Sequence, residues 1–280
     1  MIETLRVGIA RGLIEFRHTL TNAQDLWGYF FPSLGLLIAL FFIEDKKLPG
    51  TNLTLGASTL PSSIGMLVAF GGLITIAQYL IVDREDGTLL RAKATPHGMG
   101  GYLIGKVVGV GGMTLASILV VLVPGAFLVD GLLFDSGGLL TLLWLLPLAL
   151  VATVPIGAAI GSFFDNPRSF GLVMLPIFGL VAISGIFYPI TGMPGWLQGV
   201  AQVFPIYWLG LGMRSVFLPD AFAGVELTDS WRHFETFGVL AVWAVAGLAL
   251  APVLLRRMAR RESGSVVAAR RERAMNSMVR

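Results

Sequence analysis

The sequence predicts an all-α polytopic membrane protein with six transmembrane helices. Of its 280 residues, 55% are hydrophobic and only 13% are charged, which is too apolar for a soluble domain. The apolar residues fall in runs of about twenty, and a helix of that length crosses the ~30 Å hydrocarbon layer of a bilayer. Charged residues gather between these runs. The predicted spans are residues 26–43, 59–82, 102–129, 139–164, 169–188 and 237–255.

An amphipathic helix is predicted over residues 2–22, before the first span. Apolar residues three or four positions apart, such as Leu5, Ile9 and Leu13, form one stripe, and the charged residues lie away from it. Such a helix lies either in the membrane interface or on another protein surface. Because a span begins immediately afterwards, the interface is the favoured position. We expect no cleavable signal peptide, since no short apolar segment with a small-residue cleavage site comes first.

Lysine and arginine are distributed unequally between the two sides of the membrane. If the N-terminus is cytoplasmic, that side receives sixteen of the 20 Lys and Arg residues. Because cytoplasmic loops carry the excess of positive charge, both termini are predicted to be cytoplasmic. The other side receives Lys46, Lys47, Arg214 and Arg232.

A densely charged segment, residues 83–96 with the sequence DREDGTLLRAKATP, separates the second and third spans. Residues 88–94 after Gly87 suit a short helix, which Thr95 and Pro96 would end because proline disfavours helix in the residue before it. On charge alone, this segment is either an ordinary solvated loop or a place where the protein receives a mechanical input.

The region between the fifth and sixth spans is apolar but broken by prolines. Its two pieces, residues 195–204 and 206–218, are too short to cross a bilayer. Broken backbone at membrane depth must be sheltered by protein or line an aqueous cavity. We therefore predict two short re-entrant helices that enter from the outer side. Glycines four residues apart in the third and fourth spans favour close helix packing within the chain over a dimer contact.

Three apparent enzyme signatures lack essential residues. The phosphate-loop-like stretch 100–107 ends in Val107, which has no hydroxyl for Mg²⁺, so its glycines indicate helix packing and Lys106 a side chain that snorkels to water. A metal signature that starts at Asp83 would need later carboxylates where Ile104 and Val108 stand. A serine-protease-like stretch at 182–185 has no histidine in any span to act as base. No cysteine is present. The sequence thus predicts no catalytic residue and no metal site.

The spans contain few ionisable residues. Apart from Lys106 near a cytoplasmic end, none lies at predicted mid-membrane depth, whereas proton- and ion-driven carriers keep such groups inside. Energy is therefore expected from outside the membrane, and an ATP-independent channel or carrier is the alternative. Phe178, Ser184 and Phe187 of the fifth span could line a substrate path, although core packing accounts for each one singly.

Two motifs in order carry a family resemblance. An R-E-x-G-T-L…P segment follows the second span, and an F-Y-P…M-P-x-W-L stretch follows the fifth. Together with the amphipathic helix and the six spans, they resemble the ABC-2 type transporter permeases, in particular the daunorubicin and multidrug exporter branch. Asp83 stands where many relatives carry Glu, which leaves the charge unchanged.

The resemblance implies roles for both motifs. In that family the first motif is a coupling helix that docks into a separate ATPase subunit, and the second forms outer re-entrant helices. The coupling role would fall on Arg84, Glu85, Gly87, Thr88, Leu89 and Pro96. The outer role would fall on Phe187, Tyr188, Pro189, Met193, Pro194, Trp196 and Leu197.

The resemblance also implies an overall function. Residues 1–258 would form one ABC-2 transmembrane domain, and residues 259–280 a basic cytoplasmic tail that contacts anionic lipid. The protein would be the membrane subunit of an exporter that moves a hydrophobic or amphipathic drug, lipid or glycan outward across a bacterial inner (plasma) membrane. ATP and Mg²⁺ would bind only the ATPase, present in two copies, beside a second permease subunit, identical or different. No nucleic acid is implied.

Overall fold

The computed structural model describes residues 2–47, 54–95, 98–164 and 170–261. Within these ranges the protein is α-helical and no β-strand is present, apart from one isolated bridge between Lys47 and Thr54. The predicted all-α class is thereby confirmed. The basic tail from residue 262 onwards and the predicted turn at 165–169 lie outside the described residues.

Eleven α-helices are present in the described ranges. They are α1 (Ile2–Thr21), α2 (Ala23–Ile43), α3 (Leu55–Phe70), α4 (Ile76–Glu85), α5 (Thr88–Lys93), α6 (Gly98–Leu128), α7 (Ser136–Gly161), α8 (Phe170–Ile183), α9 (Gly195–Val203), α10 (Pro205–Phe217) and α11 (His233–Arg261). A π-helical segment, Gly71–Thr75, joins α3 and α4 into one continuous rod. We call the end of the molecule that carries α5 the inner end and the opposite end the outer end, following the predicted orientation.

Side chains cap the helices where the chain changes direction. The Asn22 side chain accepts a hydrogen bond from the backbone N–H of Gln24, which separates α1 from α2. The Thr54 hydroxyl accepts from the N–H of Ala57 at 3.1 Å and starts α3, and Asp135 caps α7 in the same way. These polar side chains satisfy N–H groups that a helix leaves without a partner at its start.

Five helices of the described chain are long and apolar enough to cross a membrane. They are Ala23–Ile43, Leu55–Glu85, Gly98–Leu128, Ser136–Gly161 and His233–Met258, which correspond to the predicted first, second, third, fourth and sixth spans. The second span lies at the centre of the bundle. Of the 18 consecutive residues that make up its most apolar stretch, 72% are buried inside the protein, against 11% for the first span.

The predicted fifth span, residues 169–188, does not form a span-length helix within its described residues, 170–188. The corresponding helix α8 has 14 residues, so it rises about 21 Å, less than the ~30 Å of hydrocarbon. Helix α8 ends at Ile183, and the chain then turns through Gly185, whose φ of +64° is a left-handed conformation that favours glycine. Residues 184–188, predicted as helix, are therefore a turn.

Helix α1 covers nearly all residues of the predicted amphipathic helix, and its contacts show which face packs. The apolar stripe points away from the protein, with Leu5 and Leu13 51% and 55% exposed. The opposite face packs on α6 through Gly8 and Gly12, and a Cβ added to Gly12 would lie 2.6 Å from the Gly105 carbonyl oxygen. Because the glycines bring the two backbones together, the apolar stripe stays free on the outside of the bundle.

The glycines of α6 and α7 also pack within the chain, as predicted. Gly105 and Gly109 face α1, where the nearest atoms to an added Cβ include the carbonyl oxygens of Gly8 and Gly12. Gly161 of α7 faces α4, and an added Cβ there would lie 2.8 Å from the Cα of Ala77.

Two short helices follow α8 at the outer end, close to the predicted boundaries. Phe204 is extended and Pro205 begins α10, so the proline separates α9 from α10. Helix α10 is buried along most of its length, whereas α9 exposes Trp196 and Val203. With nine and 13 residues, neither helix is long enough to span a bilayer.

Candidate functional site

A tight turn and a short helix follow the second span at the inner end. Helix α4 ends at Glu85, and Gly87 has a φ of +77°, which places a glycine where the chain must turn. The Asp86 carboxylate accepts a hydrogen bond from the Thr88 N–H at 2.7 Å, which starts α5. The helix predicted over 88–94 is thus confirmed as Thr88–Lys93. Pro96 lies outside the described residues.

The predicted coupling residues do not all lie on one surface. Of these residues, Glu85 and Thr88 are half-buried at the surface, beside Asp86, Arg91 and Lys93, which the prediction did not include and which are exposed. These five residues form the surface that a partner could reach. We call them the charged face of α5.

Three of the predicted coupling residues are buried within the chain: Gly87 at the turn, Arg84 and Leu89. Leu89 is 1% exposed and belongs to an apolar cluster with Leu103 and Leu255, while the Arg84 guanidinium donates a hydrogen bond to the Phe164 carbonyl at 2.9 Å. Leu89 and Arg84 therefore hold α5 and the end of α4 on the bundle. Their coupling role remains a prediction, and in it they would act through this chain's own packing.

An ion network lies behind the charged face of α5, between α1, α4 and α6. The ammonium of Lys106 is 2.9 Å from the Asp83 carboxylate and 3.1 Å from the Glu15 carboxylate. Glu15 also pairs with Arg11 at 2.9 Å, and the Tyr102 hydroxyl donates to Asp83 at 2.7 Å. We call these five residues the inner network.

The inner network corrects the interpretation of Lys106 as a side chain that snorkels to water. Lys106 is 6% exposed, and its ammonium also lies 5.0 Å from the ring centroid of Tyr79. The opposite charges of Asp83 and Glu15 offset the cost of burying a cation. Because Asp83 lies four residues before Gly87 in the chain, the network ties α1 and α6 to the end of the span that carries α5.

A cavity of about 500 Å³ adjoins the inner network. Its walls combine the rings of two tyrosines with more carboxylates than cations, so it has a negative electrostatic character and lets water approach the network. The residues that decide this character are Glu15, Asp25, Tyr29, Tyr79, Asp83, Asp86 and Lys106.

A second ion pair lies at the outer end. The Arg214 guanidinium on α10 donates through Nε to the Glu226 carboxylate at 2.6 Å and through Nη1 to the Ile186 carbonyl at 2.7 Å. It also donates to the Ser62 hydroxyl of α3 at 3.3 Å. We call Arg214 and Glu226 the outer pair; it joins α10, the second span and the turn after α8.

The predicted outer motif residues surround this pair only in part. Phe187, Tyr188 and Pro189 line a cavity of about 140 Å³ together with the outer pair. The remaining motif residues shape the start of α9: Met193 and Leu197 are half-buried, Pro194 precedes the helix, and Trp196 is 71% exposed.

The three residues predicted to line a substrate path do not share one surface. Phe178 is 48% exposed and packs edge-on against Phe70. The Ser184 hydroxyl is buried and donates to the Val181 carbonyl at 2.8 Å. Only Phe187 reaches the outer cavity.

Sequence reasoning missed both ion networks. Lys106 and Asp83 were visible as opposite charges at facing ends of consecutive spans, which is a pairing signal. Arg214 and Glu226 carried a weaker signal, since Glu226 stands in a polar loop and nothing in the sequence marks it as buried.

Comparison with known proteins gives two findings. A sequence model of the ABC-2 family transporter proteins matches residues 18–252. The chain is also similar to the probable multidrug ABC transporter permease YbhR from two strains of Escherichia coli, with 23% identity over 199 residues, which is 71% of this chain and 52% of that protein. The chain thus spans about half the length of the curated relatives it matches.

Proposed function

Since the chain belongs to the ABC-2 transporter family and is a membrane subunit of that type, we propose that it serves an exporter that moves a hydrophobic or amphipathic molecule outward with ATP hydrolysed by a separate ATPase subunit. The observation that carries the proposal is the charged face of α5, which lies between two long spans and is anchored from behind by Leu89 and Arg84. A short helix held in this way would transmit the movement of a docked partner to the spans, because α5 is attached to them.

Motion of α5 would reach the bundle through two attachments. The second span continues directly from the turn at Gly87, and Arg84 fixes its end to the carbonyl of Phe164 after α7. The inner network extends the attachment to α1 and α6. A displacement of α5 would therefore shift the second span, α1, α6 and the end of α7 together, instead of bending one loop.

The π-helical segment is the place where this displacement would be absorbed. Gly71–Thr75 lies in the middle of the second span, between an inner half held by the inner network and an outer half held by Arg214. Gly71 and Gly72 pack directly against Thr114 and Thr153, so the neighbouring helices approach closely there. Single π-helical turns frequently mark functional positions in helices.

The assembly follows from the same proposal. Two ATPase subunits would bind ATP and Mg²⁺ and close on nucleotide binding, and each would dock on the charged face of one permease subunit. The second permease subunit is either an identical copy or a related chain. Both termini would be cytoplasmic, and the exposed apolar stripe of α1 would lie in the inner leaflet interface.

The test is reconstitution of the chain with its ATPase in proteoliposomes, with ethidium as the transported probe. Export should require ATP and Mg²⁺, and replacing the P-loop lysine of the ATPase should abolish it because that lysine contacts the transferred phosphate. A protonophore should have little effect once ATP is present. Movement of the probe driven by a pH gradient without ATP would favour the alternative, an ATP-independent carrier, and would refute the proposal.

A further inference from the structure

The cavity beside the inner network is large enough for part of a small molecule. Its volume of about 500 Å³ lies within the range of about 300–1,000 Å³ that is usual for small-molecule sites. Ile14 of α1 and Val82 of α4 both line it and are 70% and 45% exposed, so these two residues mark its opening. We call this space the inner cavity. Because α1 would lie in the membrane interface, the opening offers an apolar rim to a molecule that arrives from the inner leaflet.

Carboxylates outnumber cations in the inner cavity. The described residues that line it include four carboxylates, one lysine and one histidine. Lys106 contacts Glu15 and Asp83. The Asp86 carboxylate caps α5. The Asp25 carboxylate, in the first turn of α2, has no ion pair or side-chain hydrogen bond among the described residues. Asp25 is half-buried in the cavity wall and is therefore available to an incoming cation.

Two tyrosine rings line the inner cavity together with Asp25. Tyr29 follows Asp25 by one helical turn and so lies on the same face of α2, and its ring centroid is 6.3 Å from that of Tyr79 on α4. Aromatic rings attract cations over their faces. The ammonium of Lys106 lies 5.0 Å from the centroid of the Tyr79 ring, in addition to its two carboxylate contacts. The cavity thus already holds one ammonium group with the same kinds of side chain that accompany Asp25.

We infer that the inner cavity binds the cationic ammonium head of an amphipathic molecule that enters from the inner leaflet. The Asp25 carboxylate would accept hydrogen bonds from the ammonium, and the rings of Tyr29 and Tyr79 would lie against it. The apolar chain of the molecule would rest on Ile14 and Val82 at the opening. Such a head is carried by an amphipathic amine, as an exported molecule, or by a membrane lipid with an ethanolamine headgroup. That the guest is an exported molecule rests on the proposed function, while the binding itself does not.

The test measures how fast a thiol in the cavity is modified. The chain has no cysteine, so Thr19→Cys places a single thiol at a half-buried position in the cavity wall. Methyl methanethiosulfonate, which is uncharged, modifies this thiol in the purified full chain without ATPase or ATP. Hexylamine, 1-hexanol and hexanoate share one alkyl chain and are cationic, neutral and anionic at neutral pH. Hexylamine should slow the reaction about threefold at about twice its Kd, and the other two probes should leave it unchanged at that concentration.

Three variants serve as controls. Thr21→Cys, exposed on the same helix and outside the cavity, should respond to none of the probes. Asp25→Asn in the Thr19→Cys background keeps the shape and removes the charge. It should weaken hexylamine binding about tenfold, so the same concentration should slow the reaction only about 1.2-fold. Asp45→Asn, at an exposed position at the outer end, should keep the full slowing. No slowing by hexylamine, equal slowing by all three probes, or full slowing in Asp25→Asn would overturn the inference.

Vesicles distinguish the two sources of the ammonium head. The Thr19→Cys chain is reconstituted in phosphatidylglycerol alone and in an equal mixture of phosphatidylglycerol and phosphatidylethanolamine. A slower reaction in the mixture, which Asp25→Asn removes, would assign the site to the lipid headgroup. Equal rates in both vesicles, with slowing by hexylamine in each, would assign it to a free amphipathic amine such as an exported molecule. Because these assays need no transport, their failure would leave the proposed ATP-driven export untouched.

Discussion

A buried cation contacts each end of the second span, and the two cations differ in the number of carboxylates they contact and in their burial. At the inner end, Lys106 contacts two carboxylates, and each of these has a further partner in Tyr102 or Arg11. At the outer end, Arg214 contacts one carboxylate, and each member of the pair keeps one atom that has no partner among the described residues. The inner cation has more carboxylate partners, and the outer one is more deeply buried.

The difference in burial indicates different roles. The side chains of Glu15 and Asp83 are 29% and 12% exposed beside a cavity of about 500 Å³, so water can replace a contact that opens there. The side chains of Arg214 and Glu226 are 3% and 0% exposed, so a broken contact would leave an unsolvated charge. A contact that opens in the inner network is therefore replaced by water at little cost, whereas the outer pair fixes α10 to the second span in a place where its side chains are almost fully buried. The second span thus has a water-accessible attachment at its inner end and a buried attachment at its outer end.

The largest expected effect comes from removing the outer cation. Arg214→Leu should lower the free energy of unfolding by about 3–5 kcal/mol, because it leaves Glu226 buried and unpaired. Lys106→Met should cost about 1–3 kcal/mol, since Asp83 and Glu15 keep other partners and can reach water. Unfolding of the purified chain by titration with a denaturing detergent measures both values.

The control for this pair of variants is the double substitution Arg214→Leu with Glu226→Leu. It should recover part of the lost stability, because no charge then remains buried. A larger loss from Lys106→Met than from Arg214→Leu would reverse the comparison between the two ends.

Two adjacent leucines of α5 differ in burial: Leu89 is packed against the bundle and Leu90 is half-buried. Leu89→Ala should lower the free energy of unfolding by about 2–3 kcal/mol, because it opens a cavity beneath the helix. Leu90→Ala, at a half-buried neighbouring position, should cost about 1 kcal/mol or less. The same detergent titration measures the two losses. Equal losses would show that α5 is not anchored through Leu89.

The charged face of α5 is tested by charge reversal. Glu85→Arg should reduce the amount of ATPase that co-purifies with the chain about tenfold, equivalent to about 1.4 kcal/mol, while the amount of folded chain in the membrane stays the same. Like charges placed against each other across an interface cause such a loss. Quantitative co-purification from membranes measures it.

The matched control for Glu85→Arg is Asp45→Arg, which makes the same kind of reversal at an exposed position at the outer end. It should leave co-purification unchanged. If both variants, or neither, lose the ATPase, the charged face of α5 is not the docking surface.

The parts of the fold that the sequence predicted are those that depend on local patterns. Long apolar runs set the five span-length helices, prolines separated α9 from α10, and the glycine at 87 marked the turn into α5. The end of α8 was misplaced because apolar residues continue through the turn at Gly185, so hydropathy alone does not reveal that the helix stops.

The candidate site was less predictable, because it depends on which helices are neighbours. A six-residue helix shows no periodicity, so the sequence could not tell that Leu89 faces the bundle while Arg91 faces outward. The pairing of Lys106 with Glu15 requires α1 to lie against α6, and that contact is made possible by Gly8 and Gly12, which carry no charge signal.

The smallest expected effect, the response to salt, tests the cause of the difference between the two ends. Dissolved ions screen charges that water can reach, over a Debye length of about 10 Å at 0.1 M and about 3 Å at 1 M, and they screen buried pairs much less. The wild-type inner network should therefore stabilise the chain less at high salt. As a result, the stability lost in Lys106→Met should shrink by a few tenths of a kcal/mol between low and high sodium chloride, about the size of an exposed ion pair. The loss in Arg214→Leu should stay the same, because the buried carboxylate of Glu226 is out of reach of the ions.

Detergent titrations of the wild type and both variants at the two salt concentrations measure the change. If the loss in Arg214→Leu shrank as much as that in Lys106→Met, ions would reach both sites equally, and the outer pair would be as open to rearrangement as the inner network.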